Sequence, residues 1–233
     1  MHNTQAPSKH SRLAAFWAVL GALGTLAGFP YLVALNPSST VSPPLPLPVL
    51  ALASATQTGV LLFILSWIGL QLGQALRLDT PFARAFVYRL KPPTLSKRAI
   101  NFALTSGILG GFIILGLAFV FQPFMPQTAQ STTLNIALWK RVLACFYGGI
   151  TEELLLRLFL MTLIAWVFWK MGLREGKQPS RLAFWLAIAF SALLFGVAHL
   201  PAAAALWSLT PIVIIRTLVL NSLIGIAFGF LYW

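Results

Sequence analysis

Six long apolar stretches dominate this chain of 233 residues, and they leave little choice of fold. The first runs from Leu13 to Leu35, the second from Val49 to Leu70 with room to extend to Leu76, and the third from Ile100 to Phe121. A fourth lies within Leu134 to Trp169, the fifth runs from Leu182 to Leu200, where Pro201 is expected to close it, and the sixth runs from Ile212 to Trp233. A bilayer core about 30 Å thick takes about 20 apolar residues per helix. Inside that core only helices and closed barrels satisfy their own backbone. The runs therefore predict an all-α polytopic transmembrane helical bundle with about six spans. Charged residues make up 9% of the chain, against roughly 25% in a soluble domain, which excludes the soluble globular and disordered classes. Leu13–Leu35 is too long for the apolar core of a signal peptide and is read as an uncleaved span. The chain is taken as a single membrane domain, with a polar tail at 1–12, three spans over 13–121 and a second region over 134–233.

Sixteen Lys and Arg stand against four Asp and Glu, a formal net charge of +12. Such an excess can signal nucleic acid, so position has to decide. Two basic residues, Lys9 and Arg12, lie in the tail, six lie in the loop 77–98 and four in the loop 170–181. Loops 36–48, 122–133 and 201–211 hold none. This alternation is that of cytoplasmic against external loops. It predicts a cytoplasmic N-terminus and needs no nucleic-acid partner. The expected surroundings are membrane lipid, with a bacterial plasma membrane as the expected location.

The remaining features of the spans have plain readings. The single cysteine, Cys145, excludes an internal disulfide and is read as a small packing residue. Trp139, Trp169, Trp207 and Trp233 near span ends suit an interfacial aromatic belt. The glycines around Gly107–Gly111 and along the sixth span are expected to allow close helix packing. The stretch from Leu134 to Trp169 would measure about 54 Å as one helix, so a break is expected at Gly148–Gly149.

Polar residues inside apolar runs carry the functional signal. Of the four acids, Asp79 and Glu175 fall in loops, whereas Glu152 and Glu153 sit side by side in Thr151-Glu152-Glu153-Leu154-Leu155-Leu156-Arg157. An ionisable residue at membrane depth costs about 2.5–3.5 kcal/mol on insertion scales and is a functional-site hypothesis by default. Glu153 and Arg157 are four residues apart and can pair on one helix face; the plain alternative is an ion-pair brace between helices. Glu152 is turned away from that pair. A carboxylate without a cationic partner is the type of group that serves as a general base near neutral pH.

Of the three histidines, His2 and His10 are assigned to a mobile tail, and His199 ends the fifth span in Phe195-Gly196-Val197-Ala198-His199. Glu152 lies 18 residues from Lys170, and His199 lies 18 residues from Arg181. At the helical rise both sit about 27 Å from the cytoplasmic boundary. A carboxylate and an imidazole at one depth suit water activation or half of a metal site.

Glu152-Glu153-x-x-x-Arg157, followed by Phe195-x-x-x-His199 on a later span, resembles the CPBP family of intramembrane glutamic or metallo-endopeptidases. That family includes the type II CAAX prenyl endopeptidases and the bacteriocin-processing and self-immunity proteins. Asn221 and the segment Gly225 to Trp233 are similar to its Gly-rich third motif. The resemblance covers Lys140 to Trp233. It implies hydrolysis of peptide bonds within the membrane, on membrane-tethered and in some cases prenylated substrates. Glu152 would activate a water, Glu153 and Arg157 would order the helix and tune Glu152, and His199 would help hold the water or a divalent metal such as zinc. Phe195 and Asn221 would support the site. The resemblance also implies a further span bearing His-x-x-x-Asn or His-x-x-x-Asp, which would follow Trp233. On 1–233 alone, the expectation is a site that lacks this part.

Two other readings compete: a non-catalytic scaffold or immunity protein of the same fold, and a transporter using Glu152, Glu153, Arg157 and Arg216 as an ion path. No internal repeat of the transporter type is found in the sequence. Lys140 and Arg141 could snorkel to the outer interface. Arg216 could do the same, pair with an acid, or meet a substrate carboxylate.

The topology is directly testable. With Cys145 replaced, single cysteines placed in 77–98 should react with an impermeant maleimide only after the membrane is opened. Cysteines in 201–211 should react in intact cells. Labelling of 77–98 from outside would overturn the orientation.

Overall fold

The computed structural model describes residues 10–35, 45–126 and 136–233. His2 and most of loops 36–48 and 122–133 lie outside the described residues. Within them the chain forms α1 (Ser11–Leu35), α2 (Leu47–Leu76), α3 (Pro81–Tyr88) and α4 (Lys97–Phe121), the last continuing into a single 3₁₀ turn, Gln122–Phe124. Next come α5 (Leu138–Phe146), two π-helical stretches, π1 (Tyr147–Glu152) and π2 (Leu154–Met161), and α6 (Thr162–Lys170). A two-stranded hairpin, β1 (Arg174–Glu175) and β2 (Gln178–Pro179), leads to α7 (Arg181–Ala198), the short α8 (Leu200–Ala204) and α9 (Pro211–Tyr232). The expected all-α polytopic bundle is what is observed.

Among the described residues, five helices are long and apolar enough to cross a membrane: α1, α2, α4 with its 3₁₀ turn, α7 with α8, and α9. The sixth apolar stretch is the composite from Leu138 to Lys170. It was expected to break at Gly148–Gly149, and it does not. The helix widens there into π turns instead, and Glu153, between the two stretches, keeps helical angles (φ −64°, ψ −39°). Paired glycines weaken the α-helical ladder, but in an apolar solvent a free backbone group is costlier than a changed register. The path therefore stays hydrogen-bonded throughout.

Helix ends follow the local chemistry. Ser96 Oγ accepts from Ala99 N at 3.1 Å and Ser180 Oγ accepts from Ala183 N at 3.2 Å, as N-caps do. The first cap starts α4 at Lys97, three residues before the expected start. Proline occupies the first turn of α2, α3, α8 and α9, where its missing N–H costs nothing. Pro201 accordingly opens α8 rather than simply ending the fifth span.

The composite helix is the centre of the bundle. α1 packs along α2 and against α5 and π1, while α2 also meets π2 and α6. On the other side α7 packs on α6 and π2, and α9 lies along α7. α4 leans on α9 and buries no residue of its own. Its glycines do not provide the expected close packing: nothing lies within 4 Å of a Cβ built at Gly107 or Gly111, and Gly110 meets only Ile224 Cδ1. His10 is a second correction. It is buried at the start of α1, with Nε2 3.4 Å from Gln74 Oε1, rather than in a mobile tail. Cys145 is a third, being exposed rather than packed.

Backbones approach closely where side chains are missing. A Cβ at Gly69 of α2 would overlap the Leu158 carbonyl of π2, whereas one at Gly21 of α1 would overlap only the tip of Leu62. Ala in place of Gly gains up to about 1 kcal/mol of helix propensity, and overpacking against a fixed backbone costs about 1–3 kcal/mol. Gly69→Ala should therefore lower the thermal stability of the detergent-purified protein. Gly21→Ala, which meets the tip of the buried Leu62 side chain rather than backbone, should lower it less.

Candidate active site

Two helices deliver one carboxylate and one imidazole to the same place. Glu152 is the last residue of π1, and His199 follows α7 in the turn that leads into α8. Glu152 Oε1 lies 3.9 Å from His199 Nε2. The other ring nitrogen, His199 Nδ1, is 2.9 Å from the Phe195 carbonyl oxygen. A carbonyl only accepts, so Nδ1 carries the proton in that bond and Nε2 is the nitrogen that faces Glu152. The two side chains are 26% and 31% exposed, recessed but reachable. The equal depth inferred from the sequence is consistent with this meeting.

Glu153 points elsewhere. Its Oε1 is 3.2 Å from Arg157 Nη1, the i,i+4 pair expected from the sequence. Arg157 is 3% exposed, and beyond its ion pair with Glu153 it meets polar and aromatic groups of α7 and α9, although Nη1 itself has no hydrogen-bond partner. Nη2 donates to the Gly225 carbonyl of α9 at 3.2 Å, and the guanidinium lies 5.5 Å from the ring centres of both Phe195 and Phe228. The bond to Gly225 brings α9 against π2, and at the same place α9 lies close to α7. A Cβ at Gly225 would sit 2.9 Å from Ala192 Cβ, so only glycine fits without displacement. Phe195 works in two directions, with its face toward Arg157 and an edge contact to the His199 ring at 4.5 Å between centroids. In this way the second motif supports the imidazole from below.

π1 is held by α1. Thr151 Oγ1 donates to the Gly21 carbonyl at 3.2 Å. Tyr147 Cβ would be 3.0 Å from a Cβ at Gly28, so α1 presents bare backbone to this part of the helix. Nothing in the first 139 residues marked α1 as a support, because its glycines look like any other small residues of a span.

A cavity of about 670 Å³ opens at the Glu152–His199 pair. Glu152, His199 and Phe195 form part of its wall, and Tyr147, Asn221, Arg216, Thr217 and Tyr31 add further polar groups. Asn221 lies in this wall, with Nδ2 donating to the Thr217 carbonyl at 2.8 Å. Tyr147 was not foreseen. It lies five residues before Glu152, a spacing that shares a face only in a π-helix with its i→i+5 bonds. Trp207 lies in the cavity wall with its ring 5.3 Å from the Arg216 guanidinium. A second, apolar cavity of about 410 Å³ shares Leu32, Leu35 and Leu206 with the first and continues along Phe29, Leu50 and Ala205.

The sequence makes His199 the candidate ligand for a metal such as zinc. Among the described residues no three of His, Cys, Asp and Glu come together. Glu152 and His199 supply two donors, and a catalytic zinc normally takes three from protein. The described residues by themselves therefore do not make up a zinc site.

Residues 133–233 match the family described as type II CAAX prenyl endopeptidase Rce1-like. The matched segment contains both carboxylates, Arg157, His199 and the Gly225 region, and it bears out the family resemblance read from those motifs. It supports a CAAX-type intramembrane protease kind of function and, with the five apolar helices, an integral membrane protein. No match is found among curated proteins or among solved structures.

The Glu153–Arg157 pair makes a distinct prediction. Breaking a buried pair leaves an uncompensated charge and costs about 3–5 kcal/mol. Because Glu153 is partly exposed and Gly225 still accepts from Arg157, the low end applies. Glu153→Gln should reduce the folded fraction recovered from membranes, measured by size-exclusion chromatography in detergent. A double change, Glu153→Gln with Arg157→Met, should recover part of that loss.

Proposed function

We propose that this chain, whose residues 133–233 match the type II CAAX prenyl endopeptidase Rce1-like family, is an intramembrane endopeptidase using Glu152 to activate water. The observation that carries the reading is the 3.9 Å approach of Glu152 Oε1 to His199 Nε2 in the wall of a cavity inside a helical bundle. That separation is too long for a direct hydrogen bond and leaves room for a water touching both groups. When Nδ1 carries the only ring proton and donates it to Phe195, both facing atoms are acceptors. A water donating one O–H to each satisfies both and turns its lone pairs toward the cavity.

The chemistry follows from that placement. Glu152 takes a proton from the water as its oxygen attacks the scissile carbonyl carbon. The C–O bond forms, and the carbonyl electrons move to oxygen. Asn221 and Tyr147, in the same wall, are positioned as polar groups toward the substrate. Collapse of the tetrahedral intermediate breaks the C–N bond, and the proton held by Glu152 passes to the leaving amine. His199 orients the water, while Glu153 and Arg157 hold π2 against α9 so that Glu152 keeps its direction. The adjoining apolar cavity suits a membrane-tethered substrate, including a lipid-modified one. In the proposed orientation the N-terminus and the basic loops are cytoplasmic.

General acid–base catalysis contributes about 10²–10⁴-fold. Glu152→Gln preserves shape and removes the base, so cleavage of a tethered peptide in proteoliposomes should fall by that factor while the protein remains folded. His199→Ala should do likewise. Near-normal proteolysis by Glu152→Gln would remove Glu152 from this role.

A further inference from the structure

The segment between α2 and α4 carries more positive charge than the fold uses. α2 ends at Leu76 and α4 begins at Lys97. Both are long and apolar enough to span, so 77–96 lies at one surface of the bilayer. Of the six basic residues in 77–98, Arg84 has an acid: its Nε and Nη2 donate to Asp79 at 2.7 and 2.8 Å. Arg77, Arg89, Lys91, Lys97 and Arg98 are exposed and, among the described residues, pair with no acid. Arg77 and Arg89 also stand where the backbone disfavours them. They cap the C-termini of α2 and α3 with φ of 61° and 54°, and they are the non-glycine residues of positive φ among those described. Glycine fills such positions without strain, so arginine at both keeps a charge there at a conformational cost. α3, between them, is two-sided. Ala83 and Val87 pack on the core of α1, α2 and π2. Phe82 and Phe86 are exposed, Phe86 at 74%, with the Phe86 ring 5.6 Å from that of Phe16 on α1. A short helix that turns aromatic rings outward between arginines has the make-up of a segment seated in the headgroup region.

We propose that α3 and its flanking basic residues form a binding surface for anionic phospholipid. Headgroup phosphates meet Arg77, Arg89 and Lys91, and Phe82 and Phe86 enter the acyl boundary. Charge complementarity carries the assignment. Unpaired cations at the ends of two spans face a leaflet surface, and Asp79, the one acid of the segment, is already engaged by Arg84. The arginine fork suits phosphate oxygens. Solvated charges that only orient the chain account for the sign of the segment, but not for arginine in two left-handed caps or for the outward rings. None of these residues lines the Glu152–His199 cavity, and the proposal does not rest on the endopeptidase reading. It also gives α4, which buries none of its residues, an anchor at its first turn through Lys97 and Arg98.

The test uses the full chain in nonionic detergent, titrated with dioleoyl phosphatidylglycerol or dioleoyl phosphatidylcholine and read by native mass spectrometry at low and high ammonium acetate. A basic residue near an anionic surface is worth about five-fold in affinity. Phosphatidylglycerol should therefore bind at least about ten-fold more tightly than phosphatidylcholine at low salt, and the preference should shrink at high salt. Arg77→Gln, Arg89→Gln and Lys91→Gln together should abolish it. The same loss of charge in the other basic loop, Lys170→Gln with Arg174→Gln and Lys177→Gln, should leave it in place. Arg77→Gly with Arg89→Gly separates binding from folding. It relaxes both caps, so thermal stability in phosphatidylcholine should hold or rise while the preference falls by about ten-fold. Equal binding of the two lipids, a preference that survives the triple change, or an equal loss on neutralising 170–181 overturns the proposal. So does displacement of phosphatidylglycerol by inorganic phosphate or by a soluble acidic peptide at matched concentration, which assigns the cations to a soluble anion.

Discussion

The arrangement of the second half of the chain depends on one buried cation. Arg157 sits in a helix of a membrane-spanning bundle, where a lone charge at mid-depth costs about 2.5–3.5 kcal/mol on insertion scales. Its position is tolerable because three elements converge on it: Glu153 from its own helix, Phe195 from α7, and both Phe228 and the bare Gly225 carbonyl from α9. Those same contacts fix the spacing between helices. Phe195 is held by Arg157 on one side and presses against His199 on the other, so the imidazole inherits its placement from the ion pair. Glu153 is consumed by the pair, and Glu152 alone of the two carboxylates faces the cavity.

The π-helical register gives this division of labour its geometry. With i→i+5 bonding, the helix between Tyr147 and Met161 is wider than its neighbours. Wide turns expose more backbone, and the surrounding groups meet that need. Thr162 Oγ1 donates to the Arg157 carbonyl at 2.9 Å, and Thr151 ties π1 to the Gly21 carbonyl of α1. The support from α1 links the otherwise plain first half of the chain to the site.

Much of this was legible in the sequence, for identifiable reasons. Apolar runs of fixed length announce spans because the bilayer allows little else, and charge within them stands out because it is costly. The pairing of Glu153 with Arg157 and the meeting of Glu152 with His199 both followed from helical spacing. What stayed hidden concerns neighbours. In a membrane every face of a helix is apolar, so periodicity no longer tells which side meets protein. Gly21, Gly28 and Gly69 make intimate contacts while Gly107 and Gly111 make none, and nothing in their local sequence separates the two groups. Gly148–Gly149 looked like a break because a π register leaves no pattern of its own. His10 was placed in a tail because burial against Gln74 joins residues distant along the chain.

α4 illustrates the opposite extreme to Arg157. It buries none of its residues and leans on α9 through a narrow contact. An apolar side chain with few protein neighbours is constrained mainly by its solubility in hydrocarbon, so most positions of Lys97–Phe121 can exchange one apolar residue for another as generations pass. On α9, where a methyl group at Gly225 would meet Ala192 of α7 at its Cβ and Cα and one at Gly229 would press on the Ile188 side chain, the same drift is more restricted. Across descendants of this gene, α4 should therefore diverge fastest in identity while keeping its composition. Reconstructions of ancestry that weight all spans equally would overestimate the distances among its members.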